Sequence, residues 1–208
     1  MRLLVTGATG YIGGRLIPQL LGRGHEVRVL ARHPERLSER SWADRVEVFA
    51  GDATDPDAVR EAMAGMDGAY YLMHSLTAGH GFEEQERAMA TTFARSAEHA
   101  GVTRIVYLGG MVPDVPPRKL SAHLRSRAEV GRILRASGVP TIELRAGVII
   151  GSGSASFEML RYLTERLPVM ITPRWVKTRT QPIAVRDVLY YLVGAMEYDG
   201  EANRAYDI

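Results

Sequence analysis

Cysteine is absent from all 208 residues. That excludes a disulfide scaffold, a cysteine nucleophile and any thiolate metal site. Charge of one sign is also lacking: 26 Lys+Arg stand against 24 Asp+Glu, for a formal net charge of +2. The sequence pI is near 9.0, yet both signs are interspersed, and no nucleic-acid partner is expected. No stretch approaches the roughly 20 apolar residues of a membrane span. Arg2–Gly7 (RLLVTG) reads as a strand running into glycines rather than as a secretory leader, so the expected location is cytoplasmic. The six histidines, at 25, 33, 74, 80, 99 and 123, show no metal-ligand spacing, and no metal is expected. Repeats, low-complexity tracts and linkers are missing too, and the proline-rich Pro113–Pro117 is too short to divide domains.

What is present is apolar chain, 46% of residues, and 21 glycines. A chain of this length can bury roughly 70% of its unfolded surface in one core. Leu3–Thr6, Glu26–Leu30, Val46–Phe49, Ala69–Met73, Arg104–Leu108 and Thr141–Ile150 are strand-like, apolar almost throughout, as parallel strands covered on both faces should be. Between them lie helical segments. Ile12–Leu21 carries Pro18 inside it, which should bend the helix or cost a hydrogen bond. Pro56–Met66 has Asp55 to cap it. Phe82–Ala100 stops at Gly101, His123–Ser137 stops at Gly138, and Ser156–Arg166 stops before Pro168. The alternation predicts an α/β fold with a doubly wound parallel sheet of Rossmann type, in a single domain over 1–208.

Gly7-Ala8-Thr9-Gly10-Tyr11-Ile12-Gly13 follows the first strand and opens the first helix. Glycines there permit a tight turn and let backbone approach a pyrophosphate, which the helix N-terminus then receives. About 20 residues after such a loop, an acid usually holds the ribose of NAD. Here the chain reads Leu30-Ala31-Arg32-His33-Pro34, and Arg32 suits a 2′-phosphate, so NADP(H) is preferred over NAD(H). Arg32 could instead be a solvated arginine, and Glu35 could still reach a ribose. Asp52, in Gly51-Asp52-Ala53, can accept from the adenine amine while Ala53 leaves room for the ring; alternatively it caps the following turn.

Together with Tyr107-Leu108-Gly109-Gly110, Glu143-Leu144-Arg145-Ala146-Gly147 and Gln181–Val188, these motifs resemble the short-chain dehydrogenase/reductase superfamily. The resemblance is to its extended and atypical branch, which includes epimerase/dehydratase-like and NmrA-like proteins. It implies that Leu72, Met73 and His74 border the adenosine ribose and nicotinamide side, and that the Ala146–Val148 segment flanks the carboxamide. It also implies a Tyr-x-x-x-Lys pair and a serine, which are not here. His123 and Arg127 stand at the Tyr and Lys positions, and Gly109 and Gly110 where the serine belongs. Arg127 can bind ribose or phosphate but cannot cycle a proton. His123 could act as the acid or be a surface or capping residue; His74 could act as an acid or be a packed histidine. Tyr107 lies within a strand and reads as core.

The sequence therefore points first to an NADP(H)-dependent oxidoreductase passing hydride to a small carbonyl, quinone or enone. The second reading is a non-catalytic NADPH-binding sensor or assembly subunit, and the third an epimerase- or dehydratase-like activity. A basic, aromatic-containing run, Arg174, Trp175, Lys177 and Arg179, could line an anionic pocket or be a solvated loop. The final strand, Asn203–Ile208, is not followed by the substrate-covering region that the resemblance implies, so a homodimer or partner protein is a further expectation.

Overall fold

A computed structural model describes residues 1–73, 81–166 and 181–208. Strand β1 (Arg2–Thr6) leads through the glycine loop into α1 (Gly13–Gly22), and β2 (Glu26–Ala31) returns beside it. Two short 3-10 turns, Pro34–Leu37 and Ala43–Arg45, precede β3 (Glu47–Ala50), α2 (Pro56–Met63) and β4 (Gly68–Tyr71). Then come α3 (Phe82–His99), β5 (Arg104–Gly110), α4 (Ala122–Arg135) and β6 (Thr141–Ala146). The remaining elements are β7 (Ile149–Ile150), α5 (Ala155–Arg166), β8 (Ile183–Ala184), α6 (Val185–Glu197) and β9 (Arg204–Asp207).

Seven strands pair in parallel in the order β3-β2-β1-β4-β5-β6-β9. The order reverses direction between β1 and β4, which opens a crevice at their carboxyl ends. Successive residues of a strand face opposite sides, and each side has its own core. Leu3 and Val5 pack with Leu16, Ile17 and Leu20 of α1 and Val188 and Leu192 of α6. Leu4 faces the other way, in a core with Val59 and Met63 of α2, Phe93 of α3 and Val130 and Leu134 of α4. The sheet is thus doubly wound, as the sequence pattern predicts. Among the described residues no helix is long and apolar enough to cross a membrane.

Local chemistry sets the helix ends. Asp55 accepts a hydrogen bond from the Asp57 amide at 3.0 Å, with Pro56 opening α2. Ser121 accepts from the Leu124 amide at 3.3 Å and starts α4. Such caps contribute about 1 kcal/mol each. Pro18 does lie inside α1, and lacking an N–H it leaves the Gly14 carbonyl without its intrahelical donor. Buried Trp42 supplies the replacement: its indole N–H donates to Gly14 O at 3.1 Å.

Two segments depart from the sequence reading. The apolar stretch 141–150 is two strands, because the chain turns after Ala146 and β7 pairs with β8 in a separate small sheet. Helix α6, which starts inside the 181–188 motif and runs to Glu197, has no counterpart among the expected helices. Its buried face (Val188, Leu192, Val193, Ala195, Met196) has helical spacing, but Tyr190, Tyr191 and Gly194 interrupt the usual helix-former composition.

Candidate functional site

A cavity of about 660 Å³ opens at the crevice between β1 and β4, within the range of small-molecule and cofactor sites. The glycine loop forms its floor. Gly7 has φ +74°, and a Cβ there would stand 2.8 Å from the Leu72 carbonyl oxygen. A Cβ on Gly13 would stand 2.3 Å from Gly7 O, so close packing of loop against helix requires both glycines. Gly10 N–H donates to Gly7 O at 3.0 Å and closes the turn. Among the described residues no backbone acceptor takes the amides of Tyr11 and Ile12, and they stand at the positive end of α1. This cradle fits a pyrophosphate.

One end of the cavity is basic. Arg32, His33 and Arg36 line it, opposite Asp52, Ala53 and Thr54. Arg32 Nη1 is 3.8 Å from Asp52 Oδ2, while Asp52 Oδ1 accepts from both the amide and the hydroxyl of Thr54 at 2.9 Å. Burial opposes ionisation of Asp52, but the Thr54 donors, then Arg32 and His33, outweigh it and hold the carboxyl below its ordinary value. Asp52 therefore caps its own turn, with its second oxygen beside Arg32. Glu35 is engaged by His33 at 3.1 Å. Arg36, on the 3-10 turn, was missing from the sequence reading. Its spacing of four from Arg32 is the signal that could have found it.

At the other end stand His123 and Arg127, one turn apart on α4, with Gly109 and Gly110 at the end of β5. Arg127 is 9% exposed. One guanidinium nitrogen donates to the Leu108 carbonyl, and the group lies 5.3 Å from the Tyr107 ring centroid. Tyr107 is core, as its strand position predicts: its hydroxyl donates to Arg127 O at 3.1 Å, and burial pushes its phenol well above the ordinary value. It cannot stand in for the missing tyrosine.

The structure also gives a reason for glycine at the first of the two serine positions, 109, but not at 110, where a Cβ would meet only Leu124 Cδ2 at 3.6 Å. Glu143, 1% exposed by side chain, lies behind β5, paired to Arg135 at 2.8 Å and Arg145 at 2.9 Å. A Cβ on Gly109 would meet Glu143 Oε1 and a Tyr107 ring carbon, both at 3.2 Å.

The remaining expected site residues divide clearly. Gly7, Thr9, Gly10, Tyr11, Ile12, Gly13, Leu72, Met73 and Ala146 all line the cavity. Val148 does not line it, although its neighbours Gly147 and Ile149 do; its carbonyl accepts from Ile183 N–H at 3.0 Å. His74 and the basic run at 174–179 lie outside the described residues. Besides Arg36, the cavity brings in Gln85 and Met89 of α3, which the sequence did not single out.

An all-parallel doubly wound sheet with a phosphate cradle at its switch point defines a dinucleotide-binding Rossmann protein. Residues 7–161 match the NAD(P)H-binding family. The chain belongs to that family, within the atypical short-chain dehydrogenase/reductase superfamily. It is 31% identical, over 212 residues, to (4-alkanoyl-5-oxo-2,5-dihydrofuran-3-yl)methyl phosphate reductase of Streptomyces griseus, an alignment covering 99% of this chain and 67% of the relative. It is also 31% identical over 201 residues to 3-diazoavenalumate denitrifying reductase of a Streptomyces species, covering 81% of this chain and 64% of the relative. The chain thus spans about two thirds of the length of these relatives. Triphenylmethane reductase of Citrobacter, solved with NADP(H), superimposes with a TM-score of 0.74 at 20% identity, covering 100% of this chain and 70% of that one.

Proposed function

We propose that this protein is an NADPH-dependent reductase that passes hydride to a small carbonyl, quinone or enone. The observation that carries the reading is one continuous cavity joining the glycine cradle, the arginines at 32 and 36, and the pair His123 and Arg127. When bound, the reduced dinucleotide supplies the hydride. The chain's own residues do the rest. The loop amides hold the pyrophosphate, and Arg32 and Arg36 receive the 2′-phosphate, for which a guanidinium is the apt partner. Asp52 and Ala53 border the adenine, and Arg127, anchored on Leu108, presents its remaining N–H groups to the nicotinamide-side ribose. His123, exposed on the rim of the cavity, gives a proton to the acceptor or yields that task to water. Two similar Streptomyces proteins bear the names of reductases, which supports the reaction class.

A second reading, binding without turnover, is favoured by one observation: Gly109, backed by Glu143, and Gly110 beside it offer no hydroxyl where the superfamily places its serine. A panel of quinones, enones and ketones, with NADPH oxidation followed optically, separates the two. Turnover above background supports the reductase, and its absence across the panel leaves the sensor. His123→Ala then tests the acid: an unchanged rate removes His123 from that role.

A further inference from the structure

Helix α3 contributes Gln85 and Met89 to the cavity lining, and α4 contributes His123 and Arg127. Helices α3 and α4 are locked together over their first turns. Glu83 meets Arg125 at 2.9 Å, Arg87 and Glu129 form a two-bond pair at 2.8 and 3.0 Å, and Ser126 donates to buried Glu86. Gln85 lies within that stretch on α3 and His123 just before it on α4, so the two line one cavity from helices that these pairs hold together. Met89, one turn beyond Gln85, and Met73, after β4, supply an apolar and adaptable surface beside them. No carboxylate lines this end of the cavity among the described residues; the only one on its lining is Asp52, at the adenosine end.

The geometry points to Gln85 and His123 as a two-donor site for the oxygen of the acceptor, and to α,β-unsaturated carbonyl compounds with a flat apolar body as its substrate class. The inference rests on the reductase reading above and narrows it. A saturated ketone turns into a strongly basic alkoxide as hydride arrives and needs a committed acid, which Gly109 and the missing tyrosine do not provide. A conjugated acceptor does not. The new C–H bond forms at its β-carbon with the hydride released from the reduced dinucleotide, which leaves oxidised. The C=C pair moves through the carbonyl, and the charge comes to rest on oxygen as an enolate. Two hydrogen-bond donors suffice to hold that oxygen, and a proton from water then adds at the α-carbon. A glutamine amide donates without giving up its proton.

4-Nitrophenolate mimics such an oxygen, and its absorbance reports binding without any turnover. The test titrates it into protein saturated with NADP⁺, for the natural sequence and for Gln85→Leu, Gln85→Glu and His123→Ala. Loss of one hydrogen bond to a charged oxygen should raise the dissociation constant about 10-fold in Gln85→Leu and His123→Ala, and further in Gln85→Glu, where like charges meet. NADP⁺ affinity, the control for folding, stays unchanged. In parallel, the unaltered protein should reduce enones in preference to their saturated ketone homologues, with solvent deuterium appearing at the α-carbon. Nitrophenolate binding that is indifferent to Gln85, or preference for the saturated ketones, overturns the inference. Gln85-dependent binding with no oxidation of NADPH by any acceptor overturns the reductase reading and leaves the oxygen site standing.

Discussion

Trp42 donates its indole N–H to the Gly14 carbonyl at 3.1 Å, the carbonyl that Pro18 leaves without a donor four residues on. A kink-prone proline in the helix that ends the phosphate cradle is thereby tied to the segment carrying Arg32 and Arg36. Arg40, on the same segment, reaches the Thr9 carbonyl at 3.4 Å. Replacing Trp42 by Phe keeps most of the buried surface and deletes the hydrogen bond. The expected loss of stability is about 1–3 kcal/mol, read from denaturant unfolding, together with weaker NADPH binding in a fluorescence titration.

Cofactor choice should reside in the two arginines. In Arg32→Ala and Arg36→Ala, NADPH affinity is expected to fall about 10-fold or more each, the scale of a lost charge-assisted contact, while NADH affinity hardly moves. Equal affinities for both dinucleotides in the unaltered protein would end the NADP assignment.

Gly109→Ser, which writes a hydroxyl back at the first of the two serine positions, should fail to create a ketone reductase. Its Cβ presses on a carboxylate that two arginines hold in place. A destabilisation of about 1–3 kcal/mol is expected from overpacking, measured as a lower unfolding midpoint, with no new activity on saturated ketones.

The α3–α4 lock should respond to acid. The hydrogen bond from Arg87 holds the Glu129 carboxyl below its ordinary value of 4.5, against the effect of burial. A depressed carboxylate stabilises the folded state above its unfolded pKa, and this contribution is lost as pH falls through the lower folded pKa. Between pH 7 and about 5 the pair should be intact, and below 4.5 it should weaken. Comparing acid unfolding of the unaltered protein with Glu129→Gln tests this: the variant is less stable at pH 7 and the difference closes as pH drops. A constant difference down to pH 2 would refute it.

The sheet and the cradle were legible because their signals are local. Apolar strands alternate with helical patterns, and Gly7, Gly10 and Gly13 sit where backbone must pass close to backbone. What escaped depends on contacts between distant parts of the chain. Arg36 and Gln85 look like any exposed polar residue on a helix or turn until the sheet brings residues 7, 36, 85 and 123 around one cavity. The break between β6 and β7 escaped because a long apolar run does not reveal where a strand leaves the sheet. Glu143 carries no local sign that it lies behind Gly109, since that depends on pairing β5 with β6 in register. Helix α6 was hidden by two adjacent tyrosines and a glycine on its exposed side.

Helix α6 has a consequence for how the protein is made. It covers Val5, Tyr70 and Val106, residues of the three central strands, and the Tyr70 hydroxyl donates to Leu192 O at 3.2 Å. Met196 packs so tightly over Gly68 that a Cβ there would lie 2.6 Å from its sulfur. During synthesis the strands are therefore complete long before their cover exists, and one apolar face of the nascent sheet waits for residues 185–197. Non-local closure of this kind is slow and exposes the chain to aggregation. Holdase chaperones acting on nascent chains would find their target on that face, and substitutions in α6 should lower the yield of soluble protein before they alter the dinucleotide site.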